Sequence, residues 1–269
     1  MTFSIAGKSA IVTGAANGIG LAIARHFVDR GANVMFADID ESRLEAEVGE
    51  AARAEGPVRM FSGDLREKLT IANLLSATMD AFDRVDILVN ASRAMKVSDP
   101  LKVDDDAVEE LLEQNLMTSL RLSQMTAKRM ILQAAANPDG PAAAGTIINL
   151  SSIAAQRTQH CLMGYSIACA AVDQMTRSMA VALAPKGIRV NAVAIGSVLS
   201  ASLQTALKED PEYRGLIERG TPLGIIAPAT ELVETVQYLA SDASAFMTGQ
   251  ILTVDGGRSL VDAVNAPAH

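Results

Sequence analysis

Hydrophobic positions along this chain change their spacing in a regular order. Short apolar runs of β type stand at Ser9–Val12, Asn33–Ala37, Arg59–Ser62, Ile87–Asn90, Thr146–Leu150, Arg189–Ala194 and Ile251–Val254. Between them the apolar residues recur at helical spacing. Ile19, Ile23 and Phe27 stand at i, i+4 and i+8, and Val172, Met175 and Met179 at i, i+3 and i+7. Each set lines one face of a helix. Strands apolar along their whole length belong in a sheet covered on both faces. The alternation therefore predicts an α/β fold, a single-domain Rossmann-type doubly wound parallel sheet of about seven strands with helices on both faces. Ligands of such a sheet bind outside the strand C-termini. One domain spans residues 1–269. No internal repeat interrupts it, the stretch Asn137–Pro141 and the three alanines after it read as a surface loop, and residues 258–269 form a short tail.

Composition narrows the class. The chain is 49% hydrophobic but only 3% aromatic and lacks Trp, so its core is aliphatic and alanine-rich. Acidic residues outnumber basic ones by 31 to 23, a net charge of −8, and no Lys/Arg run forms a basic face. Nucleic acid and anionic membrane are excluded as main partners on that ground. Met1 to Gly7 has no secretory pattern, and no apolar run is long enough to span a bilayer. Cys161 and Cys169 make neither a disulfide framework nor a metal quartet. A cytoplasmic protein without a metal is expected. Twelve methionines are core filler, and Asp104-Asp105-Asp106 reads as a helix N-terminus rather than a metal site.

Chemistry concentrates after the first strand, in Thr13-Gly14-Ala15-Ala16-Asn17-Gly18-Ile19-Gly20. Glycine serves where the backbone turns with positive φ or must touch a ligand without an intervening Cβ. A helix opening there presents free amides and partial positive charge, the natural seat of a dinucleotide pyrophosphate. The spacing is G-x-x-x-G-x-G. Eighteen residues after Gly20, Asp38 closes the second strand, where a carboxylate accepts ribose hydroxyls and repels a 2′-phosphate. Ile39 follows it in place of a phosphate-binding arginine. The expected cofactor is NAD rather than NADP.

In order, these motifs resemble the short-chain dehydrogenase/reductase family over nearly the whole chain. They are the turn and Asp38, Asp64-Leu65, Asp86-Ile87-Leu88-Val89-Asn90, Asn115, Ser151-Ser152, Tyr165, Arg189-Val190-Asn191-Ala192-Val193, Pro222-Leu223-Gly224, and Thr248-Gly249-Gln250 through Val254-Asp255-Gly256-Gly257. The C-terminal half is most similar to the bacterial 3-oxoacyl-thioester reductase-like branch. The resemblance implies that Gly14, Asn17, Gly18, Ile19 and Gly20 hold the pyrophosphate. It implies that Asp64 bonds adenine, the Leu65 backbone receives the ring, and Asn90 supports the ribose side. Gly196 and Val198 would line the nicotinamide, and Ser200 would meet its amide. Ser152 would hold the substrate oxygen, Tyr165 would act on it as acid or base, and Asn115 would hold a relay water. Substrates are then small alcohols or carbonyl compounds. A homodimer or homotetramer is implied, built through the helices carrying Asn115 and Tyr165 and the last strand. Residues 197–220 correspond to a lid.

Several positions depart from the family pattern. The family places a lysine four residues after its tyrosine; here that position holds Cys169. One positive charge ~4 Å from a phenol at an effective dielectric near 20 is worth about 4 kcal/mol, or roughly three decades of rate. A neutral thiol cannot replace it. Asn90-Ala91-Ser92-Arg93 stands for Asn-Asn-Ala-Gly, Ile195-Gly196 for Pro-Gly, and Ile225 and Ala227 for the usual arginine and glycine. Arg93 is a candidate substitute cation and His160 a candidate substrate donor or second acid/base; the alternatives are a solvated loop arginine and a packed or exposed histidine. Three functional readings stay open at this point. They are an NAD(H)-linked oxidoreductase of secondary alcohols and ketones, a catalytically silent nucleotide-binding protein, and a non-redox lyase or isomerase.

Overall fold

The computed structural model describes residues 3–102, 104, 107–137, 143–262 and 264. Seven strands, β1 (Ser9–Thr13), β2 (Asn33–Asp38), β3 (Val58–Ser62), β4 (Ile87–Asn90), β5 (Gly145–Ser152), β6 (Ile188–Ile195) and β7 (Ile251–Val254), form one sheet in the order β3-β2-β1-β4-β5-β6-β7. Every pairing is parallel. The order reverses between β1 and β4, so a crevice opens at the C-terminal ends of those two strands.

Alternate residues of each strand serve opposite faces. Val12, Phe36, Val89 and Ile148 point to a layer made by α1 (Gly18–Asp29) and α9 (Thr230–Ala240), where Ile23, Phe27, Leu232 and Val236 are fully buried. Ile11, Met35, Leu88 and Ile147 point the other way, to Ile71 and Leu74 of α3 (Lys68–Phe82) and Leu122 and Met130 of α5 (Thr118–Ala136). Burial on both faces is why the strands read as continuous apolar runs. The strand cores match the hydrophobic pattern, and β5 runs on through Ser151 and Ser152 because both residues still pair with Ala194 and Ile195 of β6. Those added residues bring Ser152 to the sheet edge.

Helix α2 (Glu41–Arg53) starts at Asp40, whose side chain accepts from Arg43 N–H at 3.0 Å. After β4, α4 (Ala107–Leu111) passes through a π-helical stretch, Leu112–Met117, into α5. Asp105 and Asp106, with the predicted loop centre 138–142 and most of the tail beyond 262, lie outside the described residues. The helix α6 (Met163–Leu183) follows β5, and the segment 197–220 contains α7 (Ala201–Glu209) and α8 (Glu212–Arg219). Neither of these two short helices contributes a described residue to the core. Among the described residues no helix is long and apolar enough to cross a membrane.

Candidate active site

The turn between β1 and α1 is built to leave amides unpaired. Asn17 is the N-cap residue of α1 yet makes no side-chain cap, and the first turn carries no acidic residue. The orphan N–H groups are therefore available to an external anion. Gly14 and Gly18 have φ of +65° and +53°. A Cβ on Gly20 would lie 2.1 Å from the Gly14 carbonyl oxygen, so the helix start and the turn touch backbone to backbone. This cradle fits a pyrophosphate.

Asp38 faces the same crevice. Its carboxylate accepts from Ala16 N–H at 3.0 Å and Asp40 N–H at 3.1 Å, which fixes its orientation while each oxygen keeps a further lone pair. Ile39 beside it is exposed, and Leu65 is buried. Asp64 is paired in fork fashion with Arg66, which holds its carboxyl below the usual range. Asn90 turns its amide inward, donating to Ser123 Oγ at 2.9 Å and Asn149 Oδ1 at 2.8 Å. Asn149 in turn donates to Thr176 at 2.9 Å. With both amide hydrogens committed and the residue buried, Asn90 orders the end of β4 through this network.

The loop leaving β4 is pinned on both sides of Arg93. Thr13 Oγ1 accepts from the N–H groups of Ala91 and Ser92, both at 3.0 Å. Asn115 clamps the peptide groups of Ala94, its Oδ1 accepting at 2.8 Å and its Nδ2 donating at 2.9 Å. Asn115 sits within the π-helical stretch, where the i→i+5 register leaves a carbonyl outside the normal ladder. Its side chain holds the loop rather than standing free. Between the two clamps, Arg93 Nη1 donates to the Ser151 carbonyl at 2.9 Å.

Tyr165 enters the same space from the first turn of α6. It is buried with Leu111, Ala154, Ala168 and Cys169, and its hydroxyl lies beside Ser152 and Cys169. Ser152 Oγ donates to the Ile195 carbonyl at 3.3 Å and accepts from Ala154 N–H at 3.2 Å. Burial pushes the Tyr165 phenol above its ordinary range, and the positive charge of Arg93 is the main force opposing it. Burial likewise pushes the Cys169 thiol up to about 11, again against Arg93. Cys169 is thus a neutral thiol at physiological pH. One turn further on, Asp173 is raised by burial, with Ser151 and Arg177 opposing, and its Oδ1 has no partner. A serine hydroxyl and a buried phenol side by side can bind one oxygen atom and exchange a proton with it.

Gly196 passes so close to Ile153 that a Cβ there would lie 2.4 Å from its Cδ1. Ser197 follows in the left-handed region at φ +56°, buried, with its hydroxyl 2.7 Å from Thr221 Oγ1. Val198 is buried and bridges to Ala227. Ser200 Oγ accepts from Leu203 N–H at 3.2 Å and so caps α7. His160 is exposed in the stretch before α6. A cavity of about 720 Å³ opens at the opposite, N-terminal edge of the sheet. Its charged groups satisfy one another: Lys8 with Asp242 at 2.8 Å and Arg84 with Asp86 at 2.7 Å, while Arg189 donates to carbonyl oxygens.

Thr13, Asn149, Ser151 and Ser197 escaped the sequence reading as site-builders. Asn149, a polar residue inside an apolar run, carried a usable signal. Thr13 and Ser151 stood inside recognised motifs, but their contacts join strands distant in sequence and so could not be read there.

The family model described as enoyl-(acyl carrier protein) reductase matches residues 14–259. Cis-4-hydroxycyclohexanecarboxylate dehydrogenase of Sinomonas cyclohexanicum is 35% identical over 96% of this chain and 99% of that protein. A 7α-hydroxysteroid dehydrogenase solved with NADH and 7-oxo glycochenodeoxycholic acid superposes with a TM-score of 0.86 at 29% identity, covering 95% of both chains. A gluconate 5-dehydrogenase of Burkholderia cenocepacia solved with NADP and tartrate gives 0.86 at 26% identity over 97% of this chain and 98% of that one. With a seven-stranded parallel sheet, a glycine-lined helix N-terminus at its switch point and this match across the length of the sequence, the chain belongs to the short-chain dehydrogenase/reductase family of oxidoreductases.

Proposed function

We propose that the protein is an NAD(H)-dependent oxidoreductase that interconverts a secondary alcohol and a ketone. The observation that carries this reading is the buried Tyr165–Ser152 pair at the sheet edge. It stands at the C-terminal end of β5, on the same edge as the uncapped N-terminus of α1. Gly14, Gly18, Ile19 and Gly20 would hold the pyrophosphate, Asp38 the adenosine ribose, and Gly196 and Val198 would flank the nicotinamide. Bound there, the nicotinamide supplies or accepts the hydride. Ser152 donates a hydrogen bond to the substrate oxygen and orients it. As the phenolate, Tyr165 takes the proton of the alcohol in oxidation; as the phenol, it donates one to the carbonyl oxygen in reduction.

Asp38 supports NAD over NADP. Its carboxylate is locked by two backbone amides in the crevice, and a 2′-phosphate there would meet a fixed negative charge. Replacing Asp38 by Ser together with Ile39→Arg is expected to move the NAD-to-NADP preference by about tenfold or more towards NADP, since a repulsive charge becomes an attractive one. Steady-state kinetics with both cofactors checks this.

The substrate panel follows from the relatives, whose names cite a hydroxycyclohexane carboxylate and a 7-oxo bile acid. Nicotinamide absorbance during turnover, over cyclic and acyclic ketones, 3-oxoacyl thioesters, sugars and secondary alcohols, tests the reading. Consumption of NADH with any of them supports it. Nucleotide binding without consumption by the native chain or by Cys169→Lys would support the non-redox readings instead. The neutral thiol at 169 and the raised phenol of Tyr165 are the observations that keep those readings in the test. For assembly we infer a homodimer or homotetramer through α5 and α6, where Leu132 and Val181 are exposed apolar residues.

A further inference from the structure

We infer that Arg93 carries the cationic role at this site. Delivered across the sheet edge from the loop after β4, its guanidinium favours the Tyr165 phenolate against the burial that disfavours it. The inference rests on Tyr165 being the proton-transferring group. Arg93 acts through Tyr165, so it is a positioning residue rather than a catalytic one.

Placement comes first. Asn90 of β4 pairs in register with Asn149 of β5, so residues just beyond the two strands are neighbours. Arg93 uses that adjacency to donate to the Ser151 carbonyl at 2.9 Å, one residue before Ser152. Ser151 Oγ in turn donates to the Cys169 carbonyl at 3.5 Å. The guanidinium is thereby seated at the end of β5, on a residue that is itself tied to the turn of α6 bearing Cys169.

Rigidity comes second. Ala91 and Ser92 are tied to Thr13, and Ala94 is tied on both its N–H and its C=O to Asn115. A long flexible side chain starting from so constrained a backbone loses less freedom when it docks. A loop arginine anchored in this way is not the solvated residue that its sequence context allows.

Charge comes third. A guanidinium stays protonated at any accessible pH and presents five donors, of which the Ser151 contact uses one. Among the described residues no carboxylate forms an ion pair with Arg93. The ionisable groups around Tyr165 are Arg93 from the loop and Cys169 from α6, with Asp173 one turn beyond Cys169. Cys169 is neutral at physiological pH, and when it ionises in the alkaline range its charge opposes the phenolate. Its short side chain also leaves the space beside the phenol to a residue from another element. Arg93 thus supplies the positive field, and the phenol it acts on is already destabilised as an anion by burial.

The test is a titration of the protein without substrate. The chain has three tyrosines, Tyr165, Tyr213 and Tyr238, so ζ-¹³C-tyrosine labelling gives three resonances, and Tyr165→Phe assigns one. Arg93→Gln preserves a donor for the Ser151 carbonyl but removes the charge. It is expected to raise the Tyr165 midpoint by about one pH unit or more, a tenfold loss of phenolate at fixed pH, with Arg93→Lys recovering most of it. The alkaline-going limb of the kcat/KM profile should move with it. Circular dichroism confirms that each variant is folded; should Arg93→Gln fail to fold, the Arg93→Lys and Arg93→Met pair makes the same comparison of charge. A Tyr165 midpoint that moves less than about 0.3 unit on loss of the charge overturns the inference. So does a Tyr165 that stays protonated in the native protein up to the pH of unfolding. A midpoint that shifts in a protein without turnover on any alcohol or ketone upholds Arg93 and refutes the dehydrogenase reading; turnover without a shift does the reverse.

Discussion

Tyr165→Phe is expected to lower turnover by about a hundredfold to ten-thousandfold, with fold and cofactor affinity retained. The substitution keeps the ring that packs against Leu111, Ala154 and Ala168 and deletes only the hydroxyl. The deleted group leaves Ser152 with its bonds to Ile195 and Ala154, so no buried donor is stranded there. The stability cost should therefore stay near 1 kcal/mol. Three measurements check it together: steady-state kcat/KM, thermal melting, and NADH binding by fluorescence. Turnover that survives the substitution would place the proton donor on another residue and remove Tyr165 from the mechanism. It would also remove the target on which Arg93 is inferred to act.

Gly20→Ala should damage the protein by a different route. The added Cβ would lie 2.1 Å from the Gly14 oxygen and 2.6 Å from the Gly14 carbonyl carbon, which are backbone atoms that cannot rotate aside. Either α1 slides outward or the turn opens, and each breaks the spacing of the amides facing the crevice. Overpacking of this kind typically costs about 1–3 kcal/mol. Cofactor affinity should fall at least about tenfold, since each misplaced amide loses a charge-assisted bond to phosphate. Gly7→Ala is the matched control. Its φ is +75° but nothing lies within 4 Å of the added carbon, so it bears backbone strain far from the crevice. About 1 kcal/mol of destabilisation with unchanged NADH affinity is expected there. Urea unfolding and NADH titration of both variants separate the two effects. Equal losses of affinity would mean that the Gly14–Gly20 contact has no special part in holding the cofactor.

Much of the architecture was legible before any coordinates. Continuous apolar strands alternating with amphipathic helices specify a doubly covered parallel sheet, because a strand buried on both faces has no polar side to show. All seven strands lie where that pattern puts them. The glycine spacing likewise announced a turn that only glycine can make, and positive φ at Gly14 and Gly18 is the physical content of that signal. Asp38 at the end of β2 was readable for the same reason, since a residue at a strand end inherits its direction from the strand.

What local pattern does not encode is contact between elements distant in the chain. Nothing in the residues around Arg93 indicates whether its guanidinium reaches water or the Ser151 carbonyl, 58 residues away. That is decided by the parallel register of β4 on β5 and by the grip of Thr13 and Asn115 on the loop. The same holds for Asn90, which the resemblance assigns to the ribose side but whose amide is turned into a buried polar network. Ser200 and Asp64 are likewise engaged, one in capping a helix and the other in pairing with Arg66. By itself, then, the sequence determined the sheet, its order of elements, the cofactor-type turn and the residues that gather at the C-terminal edge. Only the tertiary structure decided which of them touch. A hydrophobic period constrains each element separately, whereas the field at Tyr165 depends on a few ångströms between side chains that the chain brings together only when it closes.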